Sequence, residues 1–199
     1  MKLSCFLVLA AAGGGLAETP VSLMTVTNES GVVQIAAPTV RDVAYGRHPK
    51  QVLHFWRAES AAPAPLLVFI HGGGWTGGSR TDRRFCALFP GVLKAGIAVA
   101  SVEYRFVQEA AADKVEPPVK ACLLDAARAV QFLRSKAGEW NIDKTRVALS
   151  GGSAGACSSL WLAFHDDLAD PASADPVARE STRVTCAAVA IAQTTLDPQ

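Results

Sequence analysis

Apolar positions along this chain fall into two alternating rhythms. Val52-Leu53-His54-Phe55-Trp56 reads as an extended segment. Ala61-Ala62-Pro63-Ala64-Pro65 then breaks the chain before the continuous run Leu66-Leu67-Val68-Phe69-Ile70, the pattern of a strand buried on both faces. Ile97 to Tyr104 repeats that signal. From Pro118 the period changes: Val119, Leu123, Ala126, Val130 and Leu133 recur at three- and four-residue steps, one face of a helix that ends at Trp140-Asn141-Ile142-Asp143. Arg146 to Ser150 reads as a short strand, Ala154 to Leu168 as a second helix and Val184 to Ile191 as a further strand. Strands alternating with helices predict an α/β fold, a mostly parallel sheet with helices on both faces, and ligands at the carboxyl ends of the strands. Glu18 to Thr39 is polar and weakly patterned, and is expected to reach or drape over the first strands.

Composition narrows the function classes. Half of the 199 residues are hydrophobic and 19% are charged, the balance of a globular chain with a buried core. Lys and Arg number 19 against 18 Asp and Glu, so no global field draws in nucleic acid or an anionic membrane. Lys2, the apolar run Leu3 to Ala12 and the small residues Gly15-Leu16-Ala17 have the form of a signal peptide cleaved before Glu18. That run is shorter than the roughly 20 apolar residues a spanning helix needs, so no stable membrane span is expected after cleavage. The organisation read from this is a leader over 1–17, an N-terminal extension over 18–42 and one domain over 43–199, in a secreted or periplasmic protein. Cys5 has too few residues before it for a lipoprotein signal. Cys86, Cys122, Cys157 and Cys186 match no zinc spacing and read as buried free thiols.

Two loops carry candidate chemistry. Gly151-Gly152-Ser153-Ala154-Gly155 matches G-x-S-x-G between a predicted strand and a predicted helix. A sharp strand-to-helix turn imposes strained angles on the serine and leaves no room for bulk beside it, which the glycines and alanine satisfy. Ser153 then lies at a helix amino terminus, where free N–H groups favour a developing anion. His71-Gly72-Gly73-Gly74-Trp75 directly follows the strand ending at Ile70, and its glycines let backbone N–H groups approach an oxyanion. The donors are assigned to Gly73, Gly74 and Ala154, with His71, Gly72, Trp75, Gly151, Gly152 and Gly155 as supporting residues. Gly72 to Gly77 also fits the dinucleotide fingerprint G-x-G-x-x-G. Ser79 to Arg84 is a poor opening for a packed helix, Glu103 comes later than the ribose-binding acid of that motif, and Ser153 is left unexplained. No Gly-Lys-Ser/Thr follows either, so a phosphate-binding P-loop is set aside.

With both loops in hand, the chain from about Val43 onward resembles the α/β-hydrolase superfamily. It is most similar to the His-Gly-Gly-Gly-Trp group of hormone-sensitive-lipase-like esterases and acetyl- or feruloyl-esterase-like carbohydrate esterases. Tyr104-Arg105, Asp143 and Arg146 support the resemblance as structural residues. Gly152, where lipase-like members often carry Asp, is closer to the carbohydrate-esterase branch. The resemblance implies a serine carboxylic-ester hydrolase acting on short acyl esters, acetyl-type above all, of small molecules or carbohydrates, without a cofactor or metal. No oligomeric state follows from it.

One departure stands out. The superfamily orders its triad nucleophile, acid, histidine, on successive strand-end loops. After Ser153 the sole histidine is His165, carried about 18 Å along the helix from the elbow. His48 and His54 precede the core strands, and His71 is expected to brace its loop. Asp166, Asp167, Asp170, Asp175, Glu180 and Asp197 are not followed by a histidine, and Asp166 to Asp175 lacks the ordered ligand spacing of a calcium loop. No catalytic acid or histidine is therefore assigned in this chain, which reads as carboxyl-terminally truncated. The expectation is an impaired and poorly soluble fragment with an uncovered sheet edge. A serine peptidase and a non-catalytic binding protein of the same fold are the rival readings.

Overall fold

The computed structural model describes residues 23–28 and 31–192. The leader, its cleavage site, Cys5 and Asp197 lie outside the described residues. The weakly patterned stretch ahead of Thr39 contains two strands, β1 (Leu23–Asn28) and β2 (Gly31–Ala36), paired antiparallel as a separate ribbon. Leu23, Met24 and Val26 in β1 and Val32, Val33 and Ile35 in β2, with the β-favouring threonines of β1, suit strands.

The main sheet has six strands: β3 (Val40–Ala44), β4 (Val52–Trp56), β5 (Ala64–Ile70), β6 (Ala98–Val102), β7 (Ile142–Gly152) and β8 (Cys186–Ala190). They lie in the order β3-β4-β6-β5-β7-β8, with β6, β5, β7 and β8 parallel and β4 antiparallel to both neighbours. The helices are α1 (Arg83–Cys86), α2 (Phe89–Lys94), α3 (Val107–Ala112), α4 (Val119–Ser135), α5 (Ala137–Trp140) and α6 (Ala154–Phe164). The alternating α/β order read from the sequence is the order observed.

The core is two-sided because β5 is buried or half-buried at every position, with Val68, Phe69 and Ile70 buried in succession. Leu66, Val68 and Ile70 join Ala100, Val102, Val147 and Leu149 in one cluster with Val130 and Leu133 of α4 and Leu162 of α6. Phe69 points the other way, into a smaller cluster with Trp56, Val99, Cys86 and Phe89. A strand lined on both faces must be apolar at consecutive positions, and this one is. The register sets Ile70 beside Gly151, so the segments leaving β5 and β7 emerge together at the carboxyl edge of the sheet.

Two boundaries and one burial differ from expectation. The second helix ends at Phe164 rather than Leu168, and His165 is already extended (φ −70°, ψ 156°). The cause is Asp167, whose carboxylate accepts hydrogen bonds from Thr182 N at 2.8 Å and Ser181 Oγ at 2.6 Å and draws the chain into a loop. The strand read as Arg146 to Ser150 runs from Ile142 to Gly152. Cys186 was expected to be buried and is exposed, because it lies on edge strand β8, whose side chains alternate between exposed and half-buried. Cys86, Cys122 and Cys157 are buried free thiols, and burial pushes Cys86 and Cys122 up to about 12.

Candidate active site

The first loop is the turn from β7 into α6. Ser153 stands there with φ 53° and ψ −121°, a strained conformation for a residue with a side chain, and it is exposed. Its neighbours explain why the turn can be so sharp. A Cβ on Gly155 would fall 2.0 Å from Ile70 O and 2.6 Å from His71 O, and one on Gly151 would fall 2.5 Å from Ile70 O. β5, β7 and α6 therefore approach more closely than any side chain permits. On the opposite face a Cβ on Gly152 would lie 2.8 Å from Phe85 Cζ, so an Asp at that position would displace the Phe85 ring. The backbone of Ser153 is tied to β8, its N–H donating to Ala190 O at 3.1 Å.

The second loop leaves β5 directly beside the first. A Cβ on Gly72 would sit 3.5 Å from Ser153 Cβ and 2.6 Å from Gly152 O, which places the two turns in contact. Gly73 (φ 115°) folds the loop back, and its carbonyl accepts from Thr76 N at 3.0 Å and Gly77 N at 3.2 Å. Among the described residues the N–H groups of Gly73, Gly74 and Ala154 meet no protein acceptor. Ala154 is the first residue of α6, where unsatisfied N–H groups are intrinsic to helix geometry. The three backbone groups named from the sequence as donors thus lie on the two touching turns.

His71 is completely buried. Its Nδ1 lies 2.7 Å from Gly72 O and its Nε2 2.8 Å from Glu103 Oε1, so both ring nitrogens are committed to acceptors. Tyr104 stacks on its ring at 4.3 Å, and the Tyr104 hydroxyl donates to His71 O at 2.8 Å. Trp75 (φ 57°) is buried against α6, its Nε1 donating to Ser158 Oγ at 3.0 Å, while Ser158 Oγ donates to Ala154 O at 2.9 Å. The glycine loop and the first turn of α6 are thereby joined through one indole and one hydroxyl.

The remaining histidines stand apart from Ser153. His54 is buried on β4 and lowered to about 4 by burial and by the neighbouring Arg80 charge. His48 accepts from Lys50 N within the β3–β4 connection. His165 follows α6 and stacks on Trp161. Among the described residues no side chain hydrogen-bonds Ser153. The acids after Ser153 bind their own loop or α4: Asp167 accepts from Thr182 N, Asp170 accepts from Ala172 N, and Asp175 pairs with Arg128 of α4 at 2.6 Å. Among the described residues no cluster of His, Cys, Asp or Glu could hold a metal ion, and no helix is long and apolar enough to cross a membrane.

Arg105, Asp143 and Arg146 are structural in position. Arg105 grips the buried Asp125 through Nη2 at 2.7 Å and Nε at 2.9 Å, and Arg146 pairs with Asp143 at 2.6 Å at the start of β7. Glu103 and Ser158 were not singled out as site residues. The sequence signal for Glu103 was a charge closing an apolar strand run, immediately before Tyr104-Arg105.

The sequence model of the BD-FAE family matches residues 55–192. The chain is similar to esterase LipC of Mycobacterium tuberculosis, 31% identical over 119 residues that cover 58% of this chain and 27% of that protein. Among solved structures it resembles an acetyl ester-xyloside bifunctional hydrolase from Caldicellulosiruptor lactoaceticus, with 28% identity, TM-score 0.57 and coverage of 69% of this chain and 48% of that one. It also shares the fold of Thermogutta terrifontis esterase 2, at 22% identity and TM-score 0.63 over 81% of this chain and 60% of that one. The chain spans about a quarter of the length of the curated relatives it matches and about half that of the solved structures.

Proposed function

Because the chain belongs to the BD-FAE family, in the esterase–lipase group of α/β-hydrolases, we propose that it carries the nucleophile and oxyanion half of a serine carboxylic-ester hydrolase. The observation that carries this is Ser153 itself, exposed and strained at the head of α6 and touching a glycine loop whose N–H groups are unengaged. In the reaction Ser153 Oγ adds to the ester carbonyl and passes its proton to a base. The carbonyl oxygen becomes an anion held by the N–H groups of Gly73, Gly74 and Ala154. Collapse of that intermediate expels the alcohol and leaves an acyl-serine for water to cleave.

The base and its acid partner are expected outside the neighbourhood described here, since His71, His54, His48 and His165 are each committed elsewhere. Short acyl esters of small molecules or carbohydrates are the proposed substrates. Gly152 and the likeness to an acetyl ester-xyloside hydrolase support that choice. The leader over residues 1–17 supports action outside the cytoplasm, before a domain over 43–199. One observation favours a non-catalytic binding protein instead: no described side chain is hydrogen-bonded to Ser153.

The test is fluorophosphonate labelling of the protein as its gene encodes it, alongside hydrolysis of p-nitrophenyl acetate. Wild type is expected to be labelled and Ser153→Ala unlabelled, with the rate falling at least about a thousandfold. Equal labelling of the two proteins would remove Ser153 from the mechanism. Binding without turnover would favour the non-catalytic reading.

A further inference from the structure

We propose that Glu103 is a positioning residue for the oxyanion loop, a single buried carboxylate that fastens both ends of the segment 71–80 on which Gly73 and Gly74 ride. The proposal rests on the hydrolase reading for its catalytic consequence and on geometry for the fastening. Glu103 follows β6 and is 4% exposed. One oxygen, Oε1, takes the near end of the loop at His71 Nε2, 2.8 Å away. The other, Oε2, takes the far end at Arg80, whose backbone N–H and Nη1 each lie at 3.4 Å.

Two neighbours of Glu103 hold the same two loop residues. Ser101 Oγ donates to Arg80 O at 2.6 Å, and Tyr104 OH donates to His71 O at 2.8 Å. Three residues at the end of one strand therefore grip both feet of the loop. Between the feet the backbone is tied locally, with Thr76 N and Gly77 N returning to Gly73 O, and once at long range, where Val107 N at the start of α3 donates to Trp75 O at 2.9 Å. The direction in which the Gly73 and Gly74 N–H groups point accordingly follows from where the two feet, His71 and Arg80, and the intervening Trp75 are held. Preorganised donors lose their value when they drift by a fraction of a hydrogen-bond length.

The charge matters as well as the shape. Every polar atom facing the Glu103 carboxylate is a donor: His71 Nε2, Arg80 N and Arg80 Nη1. Burial raises its pKa, but the His71 hydrogen bond and charge, the Lys50 charge and the Arg80 backbone donor outweigh burial and hold it below the usual value. A glutamine of the same size turns an NH2 toward one of the two feet: at Arg80 it faces donors, and at His71 it fits only once the ring has given up its Nε2 proton, so the charge-assisted hold on the loop is weakened in either orientation.

Glu103→Gln in the protein as its gene encodes it is the test. It is expected to lower kcat for p-nitrophenyl acetate by about 10- to 100-fold with KM within about threefold. The amides of 72–78 should exchange about tenfold faster while β5 and β6 keep their protection. Arg80→Met, which keeps the Arg80 backbone donor on Glu103 while removing the guanidinium from Glu103, Asp42 and His54, should fold and show a smaller kcat loss with the same unchanged KM. A folded Glu103→Gln with wild-type kcat and loop exchange overturns the proposal, as does a loss of kcat that follows global destabilisation without loop-specific exchange. A wild type that neither hydrolyses the ester nor takes the phosphonate removes the hydrolase reading, and loop exchange alone then decides whether Glu103 holds the loop.

Discussion

At the elbow that presents Ser153 the backbone is held by collision, whereas the glycine loop beside it is held by buried side-chain polarity. Gly151 and Gly155 leave β5, β7 and α6 in direct backbone contact, so the turn has nowhere else to go. The loop from His71 to Arg80 meets such a wall at Gly72, whose Cβ would fall 2.6 Å from Gly152 O, and beyond that contact it is tied mainly by side chains. It depends on Glu103, Tyr104 and Ser101 from one strand and on Ser158 from α6. A site built from both kinds of restraint separates two risks. Damage to the elbow costs the fold, and damage to the loop's anchors costs the aim of the donors while leaving the fold in place.

The comparison breaks most visibly at Gly155. In Gly155→Ala the added methyl falls 2.0 Å from Ile70 O, a backbone atom of a central strand that cannot rotate away. β5 and α6 would have to part, at a cost of about 3 kcal/mol. Urea unfolding should show a lower midpoint of that size. A loss under about 0.5 kcal/mol would mean that the strand and helix are not wedged together and that the elbow is held some other way.

This difference also explains what could be read in advance. The elbow is encoded within five consecutive residues, so Gly151, Ser153 and Gly155 announce their geometry as soon as a strand and a helix are recognised on either side. The anchors of the loop are scattered: Glu103 is 32 positions from His71 and 23 from Arg80, and Ser158 is 83 from Trp75. No periodicity links such residues; the parallel pairing of β5 with β6 brings Glu103 to the loop, and that of β5 with β7 brings Ser158 of α6 to Trp75. α1, α2 and α3 escaped notice because a helix of four to six residues is too short to display a period. The end of α6 was overrun because Leu168 continues the apolar pattern, while the Asp167 carboxylate that stops the helix draws on Thr182 far downstream.

A smaller effect is expected at the loop's anchors. Tyr104→Phe keeps the ring on His71 but strips the hydroxyl from His71 O, leaving a buried carbonyl without that donor. The loss in stability should be about 1–2 kcal/mol, less than for Gly155→Ala. Loop amides over 72–78 should exchange faster while those of α4 do not, since only the loop has lost a restraint. Uniform loosening of loop and helix together would mean that the hydroxyl supports the whole core rather than the loop.

The finest separation of the two restraints comes from pH, because collision does not titrate and the Glu103 contacts do. In the unfolded chain this carboxyl titrates near the ordinary value of 4.5, and in the native state it is lowered by the His71 hydrogen bond, the His71 and Lys50 charges and the Arg80 donor, against burial. A lowered native pKa means that the ionised group stabilises the fold fully above about 4.5, and that this contribution disappears as the pH falls through the native value. Asp143 and Asp167, both lowered to about 2, also lose stabilisation in acid, but they are common to wild type and Glu103→Gln and cancel in the difference. The gap in melting temperature between the two proteins should therefore narrow as the pH falls below about 4.5. A gap that stays constant into stronger acid would mean that Glu103 supports the loop by packing alone, and the distinction between a collision-held elbow and a polarity-held loop would fail at its central residue.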